Sequence, residues 1–127
     1  MNSSRVALSM HPTRVSTLVT LAGEIDIANA HAFDLRLSKV YEQQNKHLVI
    51  DCGALTFIDC CSTRSLVAVA RAFRAMGGSV LLYRPPWGLM RILEISGQLD
   101  HFLIGGVTVP PEMESDVTET VQVRRAS

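Results

Sequence analysis

Leu48-Val49-Ile50-Asp51-Cys52-Gly53-Ala54-Leu55-Thr56-Phe57-Ile58-Asp59-Cys60-Cys61-Ser62-Thr63 passes in one stretch from an unbroken apolar run to a helix start. The run at Leu48–Ile50 suits a strand covered on both faces, as in a parallel sheet. Residues 52–58 read as a connection. Asp59 is a good N-cap, because its carboxylate can accept from the backbone amides that open a helix. That helix extends to about Met76 and stops at Gly77-Gly78, where glycine can take the left-handed closing conformation. Beyond it, Val80–Tyr83 reads as another buried strand. Pro85-Pro86 starts a third helix through Leu89, Ile92, Leu93 and Leu99, with Pro86 suited to the first turn, and Trp87 is expected to cover the core there. Phe102-Leu103-Ile104 reads as a last short strand.

Upstream, Val6, Leu8 and Met10 alternate with polar neighbours as an edge strand that His11-Pro12-Thr13 breaks. Val15 to Ala22 is rich in Val, Leu and Thr, so the two form a hairpin. Gly23-Glu24-Ile25-Asp26 ends the second strand, with Asp26 placed to cap the first helix. Ile27, Ala30, Leu37, Val40 and Tyr41 recur at spacings of three and four, the mark of a helix with one buried face. The order is β-β-α-β-α-β-α-β. It predicts an α/β fold with a mostly parallel mixed sheet, an antiparallel edge hairpin, and helices. One domain is expected over residues 5–104. A polar, flexible tail is expected over 105–127, which carries Pro110-Pro111, four acidic and two basic residues.

Twelve Lys+Arg balance twelve Asp+Glu across 127 residues. A nucleic-acid binder carries a basic excess to neutralise phosphates, so that class is set aside. The chain has no apolar run long enough for a membrane span and begins without the apolar core of a signal peptide. Cytoplasmic residence is the expectation, with Cys52, Cys60 and Cys61 as thiols.

With Gly23-Glu24-Ile25-Asp26 after the second strand and Leu55-Thr56-Phe57-Ile58-Asp59 before the second helix, the chain resembles the STAS family over roughly residues 5–104, and within it the anti-sigma-factor antagonists. The resemblance implies a binding module and not an enzyme, with no cofactor and no metal. Its implied partner is a kinase-type anti-sigma factor, whose capture frees a sigma factor. In that family the kinase phosphorylates a serine directly after the motif's aspartate, and the added charge of roughly −1.5 to −2 breaks the complex. Here Cys60 stands at that switch position, flanked by Asp59, Cys61, Ser62 and Thr63, and a thiol is no ordinary substrate for a serine kinase. The second helix buries Leu66, Val69, Ala70 and Phe73 and stacks Arg64, Arg71 and Arg74 on one face. The resemblance makes Asp26, Asp59 and these arginines the implied partner-binding set.

Two readings of Cys60 and Cys61 stand side by side. In one they are small residues that pack where serines would. In the other, a helix start makes a thiol reactive and turns it into a redox or modification switch. A cysteine-phosphatase loop does not fit, since only three residues separate Cys60 from Arg64. Cys60-Cys61-Ser62-Thr63 matches a monothiol redox motif loosely, and adjacent cysteines suit a tetrahedral zinc poorly. His11, His31, His47 and His101 are scattered and read as surface. Besides the antagonist, the alternatives are an accessory STAS subunit of another assembly, such as a lipid-transport ATP-binding cassette complex, and a thiol redox protein.

Overall fold

Strand β1 (Val6–Pro12) folds back antiparallel on β2 (Thr17–Ile25), and β2 leads into α1 (Ala30–Leu37) and a 3-10 turn (Ser38–Gln43). Then follow β3 (His47–Ile58), α2 (Cys60–Ala75), β4 (Ser79–Tyr83), α3 (Trp87–Ile95), a 3-10 turn (Leu99–His101) and β5 (Leu103–Gly105). The computed structural model describes residues 6–106 and 123–125. Val123–Arg125 forms β6, antiparallel to β5. The six strands lie in chain order in one sheet, parallel from β2 to β5 and antiparallel at both edges.

The α/β architecture and the antiparallel opening hairpin are as the sequence predicts; β6 adds a strand at the far edge. The expected boundary at residue 104 falls one residue before β5 ends. Most of the expected tail, residues 107–122, lies outside the described residues.

Burial along the strands alternates, and one side of the sheet carries the core. Val19, Leu21, Leu48, Ile50, Val80 and Leu82 are buried, while their neighbours Leu18, Val49 and Leu81 are half-buried. Leu48–Ile50 is therefore covered fully on one face, not on both. The helices bring Phe33, Leu37, Leu66, Val69, Phe73, Leu89 and Leu93 into the same core.

Several element limits differ from the sequence reading. β1 runs on through Pro12, which pairs with Thr17 at the end of an edge strand where a missing N–H costs nothing. β2 starts at Thr17 and continues to Ile25. Residues 52–58 are strand and not connection. Thr20 and Ala22 pair with Asp51 and Ala54, and Gly23 and Glu24 pair with Leu55 and Phe57, so β3 holds two more residues than the segment opposite. These bulges put Cys52, Leu55 and Ile58 inside at a spacing of three, which no period-two pattern detects.

In the first helical segment Leu37 and Val40 are buried as the spacing predicts, together with Phe33, which it did not name. Ile27 is 86% exposed in the turn before α1, and Tyr41 is half-exposed with its ring 6.0 Å from that of Phe73. Pro86 occupies the N-cap of α3 in extended conformation, not its first turn, and Leu99 lies beyond the helix. Trp87 is 47% exposed and does not close the core. α2 does end at the glycine pair. Gly77, at φ +83°, donates to Arg74 O and Gly78 to Phe73 O, while a Cβ on Gly78 would collide with Lys46 O.

Phe33→Ala should cost about 3–5 kcal/mol, whereas Ile27→Ala should stay within about 0.5 kcal/mol of wild type. Urea unfolding with a common m-value tests the pair. A costly Ile27→Ala would mean that the first turn packs as its sequence spacing suggested.

Candidate functional site

Ile25 and Ile58 are register partners at the carboxyl ends of β2 and β3, and Asp59 N donates to Ile25 O at 3.1 Å. Asp26 and Asp59 therefore leave adjacent strand ends. Gly23, at φ +94°, allows the bulge that brings β2 to this point, and Thr56 Oγ1 donates to its carbonyl at 3.0 Å.

Asp26 does not cap α1. Its Oδ1 accepts from Ala28 N at 3.0 Å and shapes the turn. The helix instead begins at Asn29, whose side chain faces back: Nδ2 donates to Glu24 O at 2.8 Å and Oδ1 accepts from Asp26 N at 3.0 Å. Asn29 is buried and fixes the loop that lifts Ile27 into solvent. Sequence reading missed it because the first acid after the strand was the more obvious cap.

Asp59 is the N-cap of α2, as its position predicts: Oδ1 accepts from Ser62 N at 2.7 Å. Cys60 and Cys61 are exposed, while Ser62 and Thr63 are only 2% and 3% exposed. Thr63 Oγ1 donates to Asp59 O at 2.8 Å. Ser62 Oγ is buried without a hydrogen-bond partner among the described residues. The loop thus divides into two outward thiols and two inward hydroxyls.

Along α2, Cys60, Arg64, Val67 and Arg71 follow one helical face and line a groove of about 550 Å³, with Ile92 and Ile95 of α3 opposite. Among the described residues no acidic side chain lines this groove, and neither Arg64 nor Arg71 forms an ion pair. Arg74 is engaged elsewhere, donating from Nη1 to Asp100 O at 3.0 Å. Two of the three predicted arginines therefore meet Cys60 in the groove, and the third holds the turn after α3. The contribution of α3 was not foreseen. Its signal was an apolar surface too wide for one buried stripe, with Ile95 left 74% exposed beside buried Leu93.

The STAS domain family model matches residues 9–119. The chain belongs to the STAS domain family. BtrV of Bordetella bronchiseptica, named as an anti-sigma factor antagonist, is 27% identical over 85 residues, covering 67% of this chain and 73% of that protein. An anti-sigma factor antagonist from Mycobacterium paratuberculosis shares the fold at TM-score 0.68 and 20% identity, over 89% of this chain and 94% of that one. Unphosphorylated SpoIIAA of Bacillus does so at 0.64 and 18%, over 87% and 94%.

In this STAS domain the third thiol, Cys52, is sealed inside β3. Burial, and then the charge of Asp51, push it from 9.0 up to about 12. Below pH 9.0 the folded and unfolded chains both hold this proton. Between 9.0 and about 12 the unfolded chain releases it and the folded chain does not, so stability falls as pH rises. Cys52→Val should flatten that fall in urea melts taken across this window; an unchanged slope would exclude Cys52 as its source.

At the helix start, two single replacements should act in opposite directions. Asp59→Ala removes the cap and should cost about 1 kcal/mol. Ser62→Ala removes a buried, unpartnered hydroxyl and should stabilise by about 1 kcal/mol. Denaturant midpoints decide both signs.

Proposed function

We propose that this STAS domain is an anti-sigma-factor antagonist that binds a kinase-type anti-sigma factor in the cytoplasm and thereby frees a sigma factor. It acts as a binding protein, needs no cofactor, and carries Cys60 where antagonists present a phosphoacceptor serine. The relatives named as antagonists support this reading. One observation carries it at the site: Cys60 opens α2 at the head of an apolar groove with two arginines that form no ion pair among the described residues. Apolar surface flanked by guanidinium groups is the composition of an interface core, where Arg and large apolar side chains dominate binding energy.

The burial of Ser62 and Thr63 supports a second part of the reading. A kinase must take the hydroxyl into its own active site, and in folded α2 Ser62 and Thr63 are almost fully buried, with the Thr63 hydroxyl bonded to Asp59 O. The domain is therefore constitutively competent to bind with respect to the serine-kinase switch, and control falls to concentration or to the exposed thiols.

Affinity purification of the tagged chain from its native cells, with mass spectrometry of the proteins it retains, tests the assignment. Recovery of an anti-sigma factor supports it; recovery of transporter subunits instead would favour the accessory-subunit alternative. With the anti-sigma factor in hand, Arg64→Glu/Arg71→Glu should weaken Kd at least about tenfold, or roughly 1.4 kcal/mol, with the circular dichroism spectrum unaltered. Equal affinities in calorimetry would remove the groove from the interface.

A further inference from the structure

Among the described residues, the α2–α3 groove combines three features. It is an apolar concavity, it holds two guanidinium groups with no acidic side chain among the described residues that line it, and it has an exposed thiol at one end. Helix geometry sets the spacing. Cys60 and Arg64 are one turn apart, about 6 Å along the axis, and Arg71 lies about 10 Å further. A peptide-like molecule of three residues spans up to about 10 Å, so one joined to Cys60 through sulfur can place a carboxylate at Arg64, while Arg71 meets it by its long side chain, which leans back toward the start of the helix. Asp59, the nearest acid in sequence, has its Oδ1 occupied in the helix cap.

We propose that this groove recognises a small disulfide bearing carboxylates, of the glutathione-disulfide class, and exchanges half of it onto Cys60. The Cys60 thiolate attacks one sulfur of the bound disulfide. The old S–S bond breaks and a mixed disulfide forms at Cys60. The other half departs as a thiolate and takes up a proton from water. Cys60 sulfur is oxidised and the departing sulfur is reduced, so the electrons balance without a further reagent. An excess of the free thiol reverses the step. On the functional reading above, the attached group fills the docking groove and blocks the anti-sigma factor, so the domain is switched by thiol state.

The protein supplies its own control. Cys61 is also exposed and is adjacent, but it is not among the residues that line the groove. Cys52 is buried and holds its proton. Recognition by the groove therefore predicts selectivity for Cys60, whereas simple exposure predicts similar reaction at Cys60 and Cys61.

The test monitors exchange by peptide mass spectrometry, using glutathione disulfide as the anionic probe and 2-hydroxyethyl disulfide as the neutral one. Glutathione disulfide should react at Cys60 about tenfold faster than at Cys61. In Arg64→Glu/Arg71→Glu, the ratio of anionic to neutral rates at Cys60 should fall about tenfold; the ratio cancels any general change in thiol reactivity. Equal rates at the two cysteines, or an unaltered ratio in the variant, would overturn the site. Calorimetry of the modified chain then separates the two ideas. Loss of anti-sigma binding on modification, restored by reductant, supports the switch, and full binding by the modified chain removes it. If exchange is selective but neither form binds an anti-sigma factor, the exchange site stands and the functional reading falls.

Discussion

Ile25 and Ile58 face each other at the carboxyl ends of two parallel strands, and their pairing is the constraint on which the site is built. It holds the turn with Asp26 and Ile27 beside the start of α2. The hydrogen bond from Asp59 N to Ile25 O carries that registration one residue further, into the helix cap itself. The cap then sets the rotation of α2, because a helix whose first turn is fixed has no freedom left to choose which residues it buries. From that rotation come both the inward Leu66, Val69, Ala70 and Phe73 and the outward line from Cys60 to Arg71.

α2 thus serves the core and the site with different faces, and the two functions constrain each other little. Its core side chains are close to fully buried, and their removal would leave cavities costing about 2–5 kcal/mol each. The two groove arginines contribute little to the fold, since exposed cations that form no ion pair among the described residues add almost nothing to stability. The arginines and Cys60 can therefore vary while the scaffold stays the same. Likenesses at 18–20% identity with TM-scores of 0.64–0.68 are the pattern expected of such a division.

Much of this arrangement was legible in the sequence. Asp59 announced the start of α2 and the glycine pair its end. The apolar spacing of Leu66, Val69, Ala70 and Phe73 gave its buried face, and the motifs around Asp26 and Asp59 gave the family. Three things were hidden, each for a physical reason. The bulges of β3 break the alternation that reveals a strand. Ile27 and Tyr41 fit a helical period that only Leu37 and Val40 of that set carry into the core, beside Phe33, because the turn before α1 is fixed by Asn29 and not by apolar contact. The groove needs two helices at once, and a single helix pattern in one dimension does not show what its neighbour contributes.

The unequal lengths of the strands have a dynamic consequence. Leu48–Asp51 of β3 is paired on one side with β2 and on the other with β4, but β4 ends opposite Asp51. From Gly53 to Ile58 the strand has β2 alone. Backbone amides with one bonded neighbour strand open at lower free energy than those with two. Solvent exchange should therefore quicken along β3 toward the end that carries Asp59. The sheet is firmest under the core and softest at the lip where α2 begins, a margin that can adjust without unsettling the layers beneath it.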